Sequence, residues 1–486
     1  MYNGQAFMEE QRKEMSFLHV DGKEIRNQEG RKVFLRGVSL GGWLNMENFI
    51  TGHLGSESIA RSTVREELGE ERAAAFFDTL LDCFVTEEDF KFLAHLGATM
   101  VRIPFNYRHF EDDMNPGVYR EGGFTYLDRA VEWAKKHGLY VVLDLHAAQG
   151  WQNEGWHSDN AANITLLWTN RDYRNRVKRL WASIAERYKD EDHIAGYDLL
   201  NEPEAPTIEV LNEVHHEIVT AIRAVDTAHI IFLEGNNYSR DFAGFEEPFD
   251  DNLVYSSHQY IPSTAAGRRY PGMTGSTYID RAWIEKELLA RTTWIVERNR
   301  PSWIGEFGAL YDGPTGSPTG ADLARLEALK DQLELFGEHE QHWTLWTYKD
   351  VGVQGLVVPK RGAAYLERIK PISEIKMELG LDSWTAREQG LLRVEAASIM
   401  RVVGDRIASR FHDYSLDFGS KGYRRIGRNG ICSAISNLLA PLYADRFREM
   451  TADEIRKMVR EAFELRNCER REYLIDLLKQ ALRPKG

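Results

Sequence analysis

The chain reads as α/β: a (β/α)8 barrel over residues 1–375, followed by a helical extension over 376–486. Three observations predict this. From Lys32 onward, eight short apolar segments alternate with helix-like ones, over roughly the length such a barrel needs. The segments are apolar throughout, which marks parallel strands covered on both faces. Nearly every one ends in a polar or aromatic residue. A barrel gathers all eight C-terminal ends around one pocket, whereas an open sheet, which the alternation alone also fits, does not.

The first strand, 33–38, runs into Ser39-Leu40-Gly41-Gly42-Trp43. A helix around 87–96 leads to strand 99–104, which delivers Arg102. The next helix, 126–137, stops at Gly138, a residue suited to a left-handed cap, and strand 139–146 ends on His146. A long polar helix over 171–188 precedes Tyr197-Asp198-Leu199-Leu200-Asn201-Glu202-Pro203, where the proline forbids further strand. Helix 209–225 and strand 229–234 follow, then strand 252–258, which leads through His258 to Tyr260. Beyond a Gly/Pro/Ser-rich loop over 262–277 and a helix over 279–297, the run Pro301-Ser302-Trp303-Ile304-Gly305 closes on Glu306. Helix 321–336 and strand 341–346, ending at Trp346, complete the eight.

Past Tyr365 amphipathic helical patterns take over, at 387–410, 431–447, 452–465 and 470–482. One of these can be the barrel's own eighth helix. Pro441 should split the second. Thr451 with Glu454 reads as a capping box opening the third. Leu438, Leu442 and Phe447 suggest an apolar face that must be buried against the barrel or a second copy of the chain.

At 486 residues the chain has room for a barrel and an appendage. Apolar residues make up 43% and charged ones 28%, ordinary values for a globular protein. A formal net charge of −14 with no long basic run argues against a nucleic-acid partner. Cys83, Cys432 and Cys468 lack CxxC spacing and form neither a disulfide framework nor a zinc knuckle. The polar, acidic start has no apolar signal-peptide core and no stretch is long enough to span a bilayer, so a cytoplasmic protein without a membrane partner is expected. A monomer or homodimer is expected. Adjacent His215 and His216 point different ways on a helix and suggest no metal; the run Arg424 to Arg428 reads as a solvated turn, and Cys83 as core packing.

Two glutamates, Glu202 and Glu306, stand where strands are made to stop. Either alone is most often a solvated strand-end charge. Together they suggest the paired acids that cleave a glycosidic bond, one giving a proton to the leaving oxygen and one attacking the anomeric carbon. The other strand ends suit that task. Arg102 and Tyr260 can keep a neighbouring carboxylate charged and oriented. Asn201 can bond the hydroxyl beside the anomeric centre, and Trp346 offers a flat face to a pyranose ring. His146 and His258 read as orienting or wall residues.

The ordered set Arg102, His146, Asn201-Glu202, His258-x-Tyr260, Glu306 and Trp346, over about residues 32–350, resembles glycoside hydrolase family 5. The resemblance implies a retaining β-glycosidase with Glu202 as acid/base, Glu306 as nucleophile, a carbohydrate substrate, no cofactor and no metal. Arg36-Gly37-Val38-Ser39-Leu40-Gly41-Gly42-Trp43-Leu44-Asn45-Met46-Glu47 is similar to the opening motif of the family's exo-acting β-1,3-glucanases. The run Leu145 to Asn153 is similar to their loop after the third strand. By that likeness Glu47 binds the hydroxyls of a terminal glucose, with Asp159 and Asn160 as helpers; Trp151 and Trp156 add bulk to the loop, and either pack it or stack on a sugar as substrate-binding residues. The expected activity is exo-cleavage of small β-glucosides or β-glucan oligosaccharides. The rivals are an endo-acting glucanase, an inactive sugar-binding barrel and a metal-dependent hydrolase.

Overall fold

The computed structural model describes residues 15–264, 269–312, 315–381, 384, 390–411 and 423–483. Eight parallel strands close on themselves: β1 (Arg36–Ser39), β2 (Met100–Asn106), β3 (Tyr140–Ala147), β4 (Ile194–Asp198), β5 (Ile230–Glu234), β6 (Leu253–His258), β7 (Ser302–Phe307) and β8 (His342–Leu345). Each is hydrogen-bonded to the next, and β8 to β1. The structure is the expected (β/α)8 barrel.

Its interior has two storeys. The lower one, where the strands begin, is apolar: Met100, Val142, Phe232, Val254 and Trp303 fill it, and Leu18, just before a short hairpin (His19–Asp21 with Glu24–Arg26), and Ile25 within it close it from beneath. Strand side chains return to the same face every second residue. Two positions past Met100, Val142 and Phe232 therefore stand Arg102, Asp144 and Glu234, all buried. The upper storey is charged.

Helices Glu87–Leu96, Glu121–His137, Arg171–Tyr188, Ile208–Arg223, Arg281–Glu297 and Gly320–Glu338 lie outside the strands. The final helix, Glu472–Leu482, packs against both Gly320–Glu338 and Glu87–Leu96, the place where an eighth outer helix belongs. Between β1 and β2 the chain adds Glu57–Leu68 and Glu70–Phe84, which the strand–helix count did not assign. Helix Ala452–Phe463, opened by the Thr451/Glu454 capping box, packs along Glu70–Phe84. Phe76, Tyr365, Tyr443 and Phe447 join in one aromatic cluster there, with the Tyr365 and Tyr443 hydroxyls 2.8 Å apart.

Two expectations for the extension are corrected. Leu438, Leu442 and Phe447 do not share a buried face: helix Ser433–Leu438 ends at Leu439, and Ala440–Asp445 starts afresh around Pro441. Phe447 turns into the core while Leu438 stays 77% exposed and Leu442 45%. The run Arg424 to Arg428, expected as a solvated turn, lies in a helical stretch, Tyr423–Cys432; the Arg425 side chain stays 71% exposed while pairing with the buried Glu154 at 2.8 Å.

Candidate active site

The charged storey is organised by Arg102, which is fully buried. Its Nη1 donates to Glu306 Oε1 at 2.7 Å and its Nη2 to Asn201 Oδ1 at 2.8 Å and Glu234 Oε1 at 3.1 Å. Asp144 and Asp198 sit 3.1 Å and 3.2 Å from the same nitrogen. A rigid guanidinium fork thus fixes carboxylates from β3, β4, β5 and β7 relative to one another. The Tyr260 hydroxyl donates to the other oxygen of Glu306 at 2.8 Å. Glu306 reaches this position through a register slip, which pairs His258 with Glu306 between β6 and β7. Gly305 before it allows the close approach: a Cβ there would lie 2.7 Å from Ser256 Oγ and 3.1 Å from His258 Nε2.

Glu202 is placed by its backbone. It has φ of 47°, a left-handed conformation uncommon for a residue with a side chain. Its N–H is caught by Glu234 Oε2 at 2.6 Å, and Pro203 follows. Its carboxyl then lies between two imidazoles, with His258 Nδ1 2.9 Å from Oε1 and His157 Nε2 3.2 Å from Oε2. Asn153 steadies that arrangement, its Nδ2 being 3.0 Å from His157 Nε2 and donating to the Glu202 carbonyl at 3.0 Å. His258 Nδ1 is also 3.5 Å from Glu306 Oε2, so one ring stands between the two acids.

Electrostatics follow from this packing. Burial pushes the Glu306 carboxyl up; the charges of His258 and Arg102 pull it back, and Glu202 pushes it up again, leaving it above the usual carboxylate range. Glu202 goes the other way. Burial would raise it too, but its hydrogen bonds with His157 and His258 hold it well below that range. His258 is held well above the ordinary histidine value, because Glu234 and Glu306 outweigh its burial. The opposed shifts of Glu202 and His258 belong to one bonded pair, His258 Nδ1 lying 2.9 Å from Glu202 Oε1. Beneath them, burial and Glu234 drive Asp198 well up, while Glu234 falls to about 2 because His258 and Arg102 overcome its own burial.

One ligand atom each from Glu202, His258 and Glu306 fall within 4.8 Å of one another, a spacing that could also hold a metal ion. The chemistry of the donors fits poorly: both Glu306 oxygens already accept from Arg102 and Tyr260, and His258 Nδ1 is taken up by Glu202.

A cavity of about 230 Å3 opens on Glu202, bounded by Trp156, His157, Tyr238 and Tyr260 from the barrel loops and by Trp384, Arg393 and Asn429 from the extension. A somewhat larger cavity, about 280 Å3, lies at the opposite mouth among Arg31, Phe34 and Tyr140; no carboxylate is among its described lining residues.

The profile of the cellulases, glycosyl hydrolase family 5, matches residues 75–352. The chain belongs to that family. It is a glycoside hydrolase acting on carbohydrate. A "Beta-xylosidase" from Phanerodontia chrysosporium is 35% identical over 471 residues, covering 96% of this chain and 98% of that one. "Endoglucanase C" from Acetivibrio thermocellus is 26% identical, covering 70% of this chain and 96% of that one. "Probable glucan 1,3-beta-glucosidase A" from Emericella nidulans is 29% identical, covering 66% and 86%. Among solved structures, an endogalactoceramidase shares the fold with a TM-score of 0.51, at 18% identity over 69% of this chain and 75% of that one.

Of the residues singled out in the sequence of this family 5 chain, Arg102, Asn201, Glu202, His258, Tyr260 and Glu306 form one bonded cluster. His146 joins through Asn201 Nδ2 (3.3 Å) and stacks on Trp346 with centroids 5.3 Å apart; Glu47 lies 3.4 Å from its Nε2. Trp156 lines the cavity. Trp151, Asp159 and Asn160 are used otherwise. The Trp151 indole donates to the Asp159 carbonyl, Asp159 accepts from Ser58, Asn106 and Arg108, and Asn160 donates to the carbonyls of Asn153 and Ile164. These three brace the loop behind Trp156. Asp144, Asp198, Glu234 and His157 were not foreseen. Asp144 carried a signal, since it stands two residues before His146 and so shares its face; His157 carried none.

No described helix is long and apolar enough to cross a membrane.

Proposed function

We propose that the chain is a retaining β-glycosidase that removes single sugars from the non-reducing end of small β-glucosides or β-xylosides, with Glu306 as nucleophile and Glu202 as acid/base. The observation that carries this is the spacing of the two acids. One carboxyl oxygen of Glu202 and one of Glu306 lie within 4.8 Å of each other, which supports the roughly 5–5.5 Å carboxyl separation of retaining sites over the about 6.5–9.5 Å where a water must fit between them. Arg102 and Tyr260 hold Glu306 by both oxygens, which suits an anion that must attack along one line. Glu202 is the more exposed acid, its side chain 15% accessible against 6% for Glu306, and faces the cavity.

The acid role asks Glu202 to carry a proton, within reach of the His258 ring bonded to it. As Glu306 bonds to the anomeric carbon its negative charge vanishes, and Glu202, bonded to His258 at 2.9 Å, gives its proton to the leaving oxygen. Water then attacks from the vacated side with Glu202 as base. The glycone follows the relatives' names, a glucosidase and a xylosidase among them.

Glu306→Gly should abolish turnover, and azide should restore it as an α-glycosyl azide; Glu202→Ala with an activated aryl substrate should give the β-glycosyl azide. Interchanged products would exchange the two roles. Proton NMR of the first-formed sugar should show the β-anomer, and an initial α-anomer would end the retaining reading. Turnover surviving a chelator separates this chemistry from metal-assisted hydrolysis. Release of single sugars from an oligosaccharide, with no internal cuts, separates exo from endo action.

A further inference from the structure

The cavity on Glu202 touches none of Arg102, His146, Glu306 or Trp346. If Glu202 is the proton donor, a reading on which this inference rests, the cavity lies on the side of the departing oxygen and holds the leaving group. Part of its wall does not come from the barrel: Trp384, Arg393 and Asn429 all lie beyond residue 352, where the family match ends.

These residues are fixed in place by the rest of the molecule. The Trp384 ring packs on Tyr260, centroids 4.8 Å apart, and Tyr260 is the residue that donates to Glu306. Asn429 Nδ2 lies 3.4 Å from the Tyr238 hydroxyl on the loop after β5. Arg425 pairs with Glu154 on the loop after β3, and Asn437 accepts the Ser56 N–H at 3.0 Å and donates to the Ala161 carbonyl at 3.2 Å. The extension thus ties loops after β1, β3 and β5 to its own cavity wall. At about 230 Å3 the space is smaller than the roughly 300–1,000 Å3 of ordinary ligand pockets, a size that suits one ring.

We propose that Trp384, Arg393 and Asn429 form the leaving-group subsite of this enzyme, recognising a single hydroxylated ring. Trp384 supplies an apolar plate, and Arg393 and Asn429 supply donors to ring hydroxyls.

The experiment compares a disaccharide with the glycosyl fluoride of the same sugar, which has no ring to place in the subsite. In Trp384→Ala, the ratio of kcat/KM on the disaccharide to that on the fluoride should fall about tenfold or more, the worth of one lost apolar contact. Arg393→Met and Asn429→Ala read the same ratio by loss of a donor, and decide the matter if Trp384→Ala does not fold. A ratio unchanged in the folded variants would overturn the subsite. Glu202→Ala in the full chain tests the underlying reading separately: it should spare the fluoride relative to the disaccharide whatever the three substitutions do. Equal losses on both substrates there would remove the acid/base assignment itself.

Discussion

At His146 burial and charge pull in opposite directions. Burial alone would strip the ring of its proton, but Asp144 at 2.8 Å, with Glu47 and Glu306 near, prevails and lifts it to about 10. The folded value lies above the unfolded one of about 6.5, so the cation's contribution to stability is full below pH 6.5 and drains away as pH rises toward 10. His146→Gln should therefore lower Tm most near pH 6, with the gap to wild type narrowing steadily to pH 10. A gap that stays constant or widens in thermal melts would refute the charged state. The residue itself was legible in the sequence, as were the other strand-end groups, because each interrupts an apolar run. Asp198 and Glu234 were not, since a single acid at the end of an apolar strand looks like a solvated one. Only the closed barrel turns it inward, onto Arg102.

Among the elements, β7 bears most directly on the chemistry, and it depends on Gly305. A methyl there would meet Ser256 Oγ at 2.7 Å and His258 at 3.1 Å, so Gly305→Ala must push β6 and β7 apart or turn the His258 ring. Overpacking of this kind costs about 1–3 kcal/mol. We expect a lowered Tm together with a fall in kcat larger than any change in KM; a variant with unchanged kcat would show that the His258 position is not critical. The run from Pro301 to Gly308 announced a strand delivering a glutamate, but not the register slip that aims it. The loop after β3 was legible as a motif and not as a shape. Asp159 and Asn160, helpers to Glu47 by the family likeness, are each engaged in bracing, and His157, between Trp156 and that brace, reaches Glu202.

For the whole molecule, the amphipathic pattern of the last hundred residues declared helices but not their destination. Periodicity reports that a helix has an apolar side; which surface it meets depends on chain distant in sequence. Here the last helix fills the gap in the outer ring, Phe447 and Phe463 enter the core beside Phe76 and Phe84, and Lys349 of the barrel donates to the Phe463 carbonyl at 2.8 Å. We propose that residues past 375 are part of the barrel's fold and not a separable module. A chain cut near residue 382 should be insoluble or fail to give a cooperative melt. A soluble truncated protein with wild-type kcat/KM on an aryl β-glycoside would refute this.

The two-storey interior also bears on how the enzyme meets its solvent. Dissolved ions can approach Arg102 and its carboxylates from the open end alone, since Met100, Phe232, Val254 and Trp303 seal the other. Screening over about 8 Å at physiological salt is a property of water, not of a packed apolar floor. Once a sugar caps the mouth, the field at the reacting carbon is set mainly by the folded chain, and the ionic strength of the surroundings enters it much less.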